Sequence, residues 1–209
     1  DWKILRDGDI RGHLESNLVA SIELIDMVAR RGMRLVYISS VAVHHHMLDR
    51  WQGDIDDEHP MRPGTLYGAL KSSIENHLWA AHAEHGLSFA SLRPSAVYGI
   101  DPRLERSIGY PILQGVAKGN AQDRKGGGKV VHVGDVAASV VSAARKEGPE
   151  SGIYHLADCY TRWADWARLS CGVLGTEVDI DCSSPAQPRN QFNHALLEEE
   201  LGITLERGL

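Results

Sequence analysis

Residues 34–40 read RLVYISS. Between the arginine and the two serines, Leu35 to Ile38 are apolar or aromatic at every position, with no polar residue alternating among them. A strand with one wet face alternates. A run that is apolar throughout is the pattern of a strand covered on both faces, as in the parallel sheets of α/β proteins. The flanks agree with this reading. Upstream, Leu18, Ile22, Leu24, Ile25 and Val28 recur at helical spacing over 14–30, and Gly32 stands where a helix C-terminal glycine belongs. Downstream, residues 44–62 are polar and broken by Gly53 and Pro60, with Pro63 beyond, which predicts a long loop of the kind that often carries function.

The same alternation continues. A helix is expected over 65–85, ending at Gly86, then a buried strand LSFASLR over 87–93 that stops at Pro94. A helix over 104–118, a glycine turn at 126–128, a short strand KVVHV and a helix to Arg145 with Asp135 as its N-cap come next. IYHLA (153–157) reads as a third apolar strand and 161–174 as a helix, with Trp163 and Trp166 packing in the core or the cap. The tail after Val178, with Pro185 and Pro188, reads as a small irregular cap. Helices alternating with apolar strands predict an α/β fold, a Rossmann-like doubly wound parallel sheet that binds ligands at the carboxyl ends of its strands. We divide the chain into a partial dinucleotide-binding and catalytic domain, 1–160, and a C-terminal substrate-side cap, 161–209.

Composition narrows the function. The chain has 209 residues, 43% of them hydrophobic, enough for one sizeable core, and a net charge of -6. That charge, without any long basic run, argues against nucleic acid and anionic membrane as partners. No apolar run reaches membrane-span length and the start, DWKILRDGD, lacks a signal-peptide core, so a cytoplasmic location is the default expectation. Three cysteines without CxxC spacing indicate reduced thiols rather than a disulfide framework or zinc knuckle. No metal is expected either. His44, His45 and His46 are consecutive and cannot all face one ion from an extended backbone, and His82 and His85 read as solvated helix residues.

The chemistry concentrates in LYGALKSSIENHL, residues 66–78. Tyr67 and Lys71 are four apart on one helix face, about 5 to 6 Å from each other. A free phenol, with a pKa near 10, is a poor base at neutral pH, and a neighbouring cation corrects that. Ser39 and Ser40 end the strand on the same rim. A tyrosine poised to exchange a proton and a serine bonded to the same oxygen make half of an alcohol–carbonyl interconversion, and a redox cofactor would make the other half. Glu75, four residues past Lys71, reads as a helix-face ion pair worth a few tenths of a kcal/mol.

These pieces resemble the extended short-chain dehydrogenase/reductase superfamily, its NAD-dependent epimerase/dehydratase group. NLVASIELIDMVARRG, RLVYISSVAV, YGALKSSIE, LRPSAVYG, KVVHVGDVA and GIYHLAD follow in that family's order across nearly the whole chain. The resemblance implies Ser40, Tyr67 and Lys71 as catalytic residues and NAD or NADP as cofactor. It implies Ser39, Tyr67, Lys71, Pro94, Ala96 and Val97 as cofactor contacts, and a small-molecule substrate held by Ser40, His44 and Arg103. It also implies a supporting role for Asn17 and a homodimer packed through the Tyr67 helix.

Three departures qualify the resemblance. No GxxGxxG precedes Asn17, so the pyrophosphate-binding turn is missing, as in a fragment, and the isolated chain is expected to bind dinucleotide poorly. Val41 and Ala42 replace the acidic pair that dehydratases of the family carry after the serine, which disfavours dehydration and leaves redox or redox-driven epimerisation. Gly128 replaces an arginine that contacts substrate phosphate in many members, with Arg103, Arg124 and Lys125 as substitutes, which takes weight from a nucleotide sugar and favours a smaller carbonyl or alcohol as substrate. The rival readings are a non-catalytic dinucleotide- or protein-binding module and an inactive fragment.

Overall fold

The computed structural model describes residues 9–44, 53–148 and 150–209. Strands β1 (Leu35–Ile38), β3 (Phe89–Pro94) and β6 (Gly152–Leu156) form a parallel sheet in the order β1-β3-β6. A two-residue strand β2 (Asp54–Ile55) intervenes in sequence and pairs in parallel with β8 (Gln191–Phe192). A third sheet, in the order β4-β5-β7, is built from β4 (Ala96–Tyr98), β5 (Gly127–His132) and β7 (Cys159–Arg162). Here β4 and β5 are parallel while β5 and β7 are antiparallel. The sheet structure is therefore α/β with parallel pairing at its centre, but a mixed satellite sheet replaces part of the single parallel sheet expected.

Both faces of the central sheet are covered by helices. On one side, α2 (Ala20–Arg30) and α3 (Leu66–His85) pack Ile25, Val28, Leu70, Ile74 and Leu78 against Phe89 and Ile153. On the other, α5 (Val133–Arg145) and α7 (Ala195–Leu201) bring Ala143, Leu197 and Leu201 onto Ala90, Leu92, Tyr154 and Leu156. The tail read as irregular thus contributes a strand and a helix to the sheet assembly. Its LLEEEL pattern is short enough to be missed, and tertiary burial of Leu197 and Leu201 makes it a helix. β3 and β6 are buried at every position. β1 is not: it lies at the sheet edge, its residues are only partly covered, and Ile38 is 39% exposed.

α3 runs where the sequence places it, from an N-cap at Thr65, whose hydroxyl accepts the Gly68 amide at 3.0 Å, to Gly86 in the left-handed region at φ 69°. Upstream of α2, a short helix α1 (Ile10–Leu14) leads into a π turn over Glu15–Val19. There Asn17 donates its side-chain amide to the His13 carbonyl at 2.9 Å, supplying a partner where the regular ladder widens. Of the helix expected over 104–118, α4 (Tyr110–Ala117) forms, after a 3₁₀ turn at Leu104–Arg106. It packs Ile112 and Val116 against Ala167 of α6 (Trp163–Leu174), with Trp163 and Trp166 at the edge of that cluster. Asp135 is not the α5 cap. His132 takes that place, its Nδ1 accepting the Gly134 amide at 3.0 Å, while buried Asp135 accepts from Arg207 Nε at 2.5 Å.

Candidate active site

The carboxyl ends of β1 and β3 meet at a rim where the polypeptide carries Ser39, Ser40, Pro94, Ser95 and Ala96. Ser40, Val41, Ala42, His44, Ser95, Ala96 and Phe192 line a cleft of about 440 Å³ there. A 3₁₀ turn over Val41–His44 follows Ser40 directly. The Ala42 amide donates to Ser40 Oγ at 3.1 Å, so the Ser40 O–H proton is left to point elsewhere. One residue of α3 explains how close the helix comes. A β-carbon on Gly68 would overlap the Ala42 carbonyl oxygen and lie 2.9 Å from the Pro63 β-carbon. Glycine beside Tyr67 therefore lets the helix start press backbone to backbone against the turn after Ser40.

Strand alternation then decides which side chains face α3. Leu35, Tyr37 and Ser39 point to that side, and so do Phe89, Ser91 and Arg93 of β3 and Ile153 and His155 of β6. Lys71 reaches from α3 to donate to the Ile38 carbonyl at 2.6 Å. Its Nζ stands 4.7 Å from the Tyr37 ring centre and 5.8 Å from that of Tyr67. Burial lowers the Lys71 pKa, against the pull of the Glu75 charge.

Glu75 is not the surface ion pair anticipated. It is fully buried and takes Arg93, not Lys71, as partner: Arg93 Nη2 lies 2.6 Å from one oxygen, Arg93 Nε 3.0 Å from the other, and Ser91 Oγ donates at 2.9 Å. The sheet-facing side of α3 sets Glu75 over β3, where an arginine one strand position from Pro94 can meet it. Beyond Arg93 the network continues into histidines. Arg93 Nη1 stands 2.8 Å from His44 Nε2 and 3.2 Å from His155 Nε2, and the two imidazole nitrogens are 3.1 Å apart. Burial first and the Arg93 charge second pull the His44 pKa down to about 3 and hold His155 well below its ordinary range. Both rings are neutral at physiological pH.

Not all the residues singled out in the sequence converge. Ser40, His44 and Ala96 share the cleft, and Lys71 and Tyr67 stand on the helix beside it. His44, however, is 1% exposed with its nitrogens turned inward, toward Arg93, His155 and the Pro60 carbonyl, so its ring anchors the turn rather than presenting a donor to the cleft. Arg103 is exposed and does not line the cleft at Ser40. Arg124 stacks on Trp163 at 3.6 Å and Lys125 pairs with Asp181 at 3.7 Å, away from it. His45 and His46 lie outside the described residues. Among the described residues no three His, Cys, Asp or Glu side chains could hold a metal ion. His82 is bonded rather than solvated, its Nδ1 2.8 Å from the Leu87 carbonyl oxygen.

One cation was not legible in the sequence. Lys129 lines a second cleft, of about 270 Å³, with Tyr160, Gln187, Gln191 and His194, and Phe192 forms a wall of both clefts. Burial lowers the Lys129 pKa, and its contacts are Asn190 Oδ1 at 3.4 Å and the Phe192 ring at 5.4 Å, neither of them a carboxylate. Strand position alone could not reveal this, because the cleft is closed by the tail from Ala186 to His194.

The rim suits the nicotinamide riboside half of a dinucleotide. Ser39 Oγ and Ser95 Oγ are buried without a hydrogen-bond partner at the ends of adjacent strands, and buried hydroxyls of this kind call for one. With the Tyr67 hydroxyl and the Lys71 ammonium on α3 beside them, they are of the kind that can bond a ribose or a carboxamide, while Pro94, which has no N–H, offers only its carbonyl. Among the described residues no glycine-rich strand-to-helix turn faces this rim.

The fold matches MoeE5 in complex with UDP-glucuronic acid and NAD, at TM-score 0.76 and 19% identity over 96% of this chain and 69% of that one. It matches a UDP-N-acetylglucosamine 4-epimerase from Methanobrevibacter ruminantium at 0.76 and 16%, covering 95% and 66%. A Thermus thermophilus UDP-glucose 4-epimerase with NAD follows at 0.70 and 22%, covering 94% and 67%. The chain thus spans about two thirds of the length of these structures, and at such identities the likeness is one of fold. No curated protein matches it. No helix among the described residues is long and apolar enough to cross a membrane. The sequence model of the NAD dependent epimerase/dehydratase family matches residues 8–157, well over half of the chain, and the chain belongs to that family.

Proposed function

We propose that this chain carries the acid/base side of an NAD-dependent oxidation or epimerisation at a secondary alcohol carbon, with a sugar nucleotide as substrate class. The observation that supports it is the anchoring of Lys71 on the Ile38 carbonyl, two residues before Ser40 and one helical turn from Tyr67. In this reading Ser39, Tyr67, Lys71 and the main chain of Pro94, Ala96 and Val97 hold the cofactor. The bound nicotinamide supplies the two-electron acceptor that the protein side chains lack.

The chain's own residues then handle the proton. Ser40, its oxygen already accepting the Ala42 amide, donates its hydrogen to the reacting oxygen of the substrate. Tyr67 takes the hydroxyl proton as the carbonyl forms and gives it back in the reverse direction. The Lys71 ammonium stabilises the tyrosinate form that accepts this proton. Val41 and Ala42 at the cleft cannot carry a second proton, which supports epimerisation or dehydrogenation over dehydration. For the anionic part of the substrate, Lys129 beyond Phe192 is better placed than Arg103. The ligands bound in two of the similar structures, UDP-glucuronic acid and UDP-N-acetylmuramic acid, are of that chemical kind.

A homodimer through α2 and α3 belongs to the same proposal, supported by Leu24, Met27 and Trp79, which are 40–45% exposed on these two helices. Sedimentation would report the mass. The functional test is turnover of a panel of UDP-sugars with NAD, comparing the chain with Tyr67→Phe. NAD binding, weak as it is expected to be in the isolated chain, should be the same in the variant while turnover falls by about 10²- to 10⁴-fold. Equal turnover would end the assignment.

A further inference from the structure

Lys71 holds a half-buried ammonium with a single hydrogen bond, to the Ile38 carbonyl at 2.6 Å. Among the described residues no carboxylate lies within ion-pair distance of it. Glu75, the nearest along the helix, commits its oxygens to Arg93 and Ser91. What lies against the ammonium is aromatic. The Tyr37 ring centre is 4.7 Å from Nζ, closer than that of Tyr67 at 5.8 Å. Both distances are within the roughly 6 Å over which a ring face attracts a cation.

Tyr37 also packs, partly buried, against the core on the α3 side. Its hydroxyl is buried without a partner. Burial, with the Glu75 and Tyr67 charges beside it, raises its pKa far above that of a free phenol, so it remains a neutral phenol and exchanges no proton. A phenylalanine would fill the same space without a stranded hydroxyl. The position uses the ring face.

We infer that Tyr37 is a positioning residue: its ring and the carbonyl of the next residue, Ile38, together clamp the Lys71 ammonium beside Tyr67. Two adjacent residues of β1 thus fix the cation from two directions, one by a directed hydrogen bond and one by the ring quadrupole. The position of the charge is set by the sheet and not by helix spacing alone. With an aliphatic residue at 37, Lys71 keeps the cost of burial and loses one of its compensations. The clamp is a statement about Lys71 itself; its effect on turnover rests on the function proposed above.

The test follows the lysine side-chain signals of the ¹³C-labelled full chain by NMR through an alkaline titration, with Lys71 assigned by its loss in Lys71→Arg. Titration of Lys71 in Tyr37→Phe should coincide with wild type, and in Tyr37→Leu it should move to lower pH. In turnover, Tyr37→Phe should stay within about twofold of wild type. Tyr37→Leu should lose about three- to thirtyfold in kcat with KM little changed, from the strength of a desolvated cation–π contact. If Tyr37→Leu fails to fold, pentafluorophenylalanine at 37 keeps the ring shape while reversing its quadrupole, and should reproduce the lowered titration. A folded Leu or fluorinated variant in which Lys71 titrates as in wild type overturns the clamp. So does a Phe variant that behaves like Leu. A shifted Lys71 with no turnover in any variant sinks the oxidoreductase reading and leaves the clamp standing.

Discussion

Arg93 Nη2 lies 2.6 Å from Glu75 Oε2, and neither side chain is more than 1% exposed. This pair ties α3, the helix of Tyr67 and Lys71, to β3, whose end forms the cleft. Its strength comes from the full set of partners, since two charges taken out of water are compensated only when geometry and hydrogen bonding are complete.

Breaking one side of the pair should therefore cost far more than a surface ion pair. Glu75→Gln leaves the buried guanidinium uncompensated and is expected to destabilise the fold by about 3–5 kcal/mol. Chemical denaturation measures it. A Glu75→Leu, Arg93→Met double variant should recover a large part of that loss, and a double variant as unstable as the single would show that packing, not charge, sets the cost.

The neutral histidines predict an acid-sensitive fold. The His44 pKa is drawn down to about 3, and that of His155 is also well below its unfolded value near 6.5. Between the folded and unfolded values the unfolded chain binds more protons. Stability is thus fully present above about pH 6.5 and falls as pH drops toward 3, by at most about 1.4 kcal/mol per pH unit for each group. Thermal unfolding between pH 4 and 8 should show this slope, and His155→Gln should flatten it. An unchanged slope in that variant would assign the proton uptake elsewhere.

Gly68 faces the Ala42 carbonyl oxygen with no room for a side chain. Gly68→Ala improves helix propensity but forces α3 away from the turn after Ser40. We expect a net loss of about 1–3 kcal/mol from overpacking, with a larger effect on turnover than on stability. A stabilised, fully active variant would show that the helix start can shift without consequence.

Lys129 offers a prediction with two signs. Its ammonium is desolvated without a carboxylate partner, so Lys129→Met should raise the midpoint of thermal unfolding slightly. It should at the same time weaken binding of a UDP-sugar, measured by calorimetry, because the cation across Phe192 is gone. Stability gained with affinity unchanged would confine Lys129 to a structural role.

The residues from Leu66 to His85 specified their helix locally, through Thr65 at one end and Gly86 at the other, and the apolar runs specified β3 and β6 through the requirement that both faces be covered. The position of Ser40 after a strand end and of Tyr67 and Lys71 on one helix is legible for the same reason, since residue spacing on a helix and residue type at a strand end are local properties. What faced what across the sheet was not. Two-residue strands such as β2 and β8 carry too little pattern to be seen, and the end of β7 overlaps the stretch 161–174 that reads as helix. Helix spacing points Glu75 at Lys71, whereas strand alternation in β3 puts Arg93 there and leaves Lys71 to the carbonyl of Ile38 and the ring of Tyr37. His44 likewise reads as a loop residue near a ligand until β6 brings His155 and β3 brings Arg93 against it. Local sequence fixes backbone conformation because propensity, capping and periodicity act within a few residues. Charge pairing and burial across elements depend on contacts between segments far apart in the chain, and only the packed structure decides those.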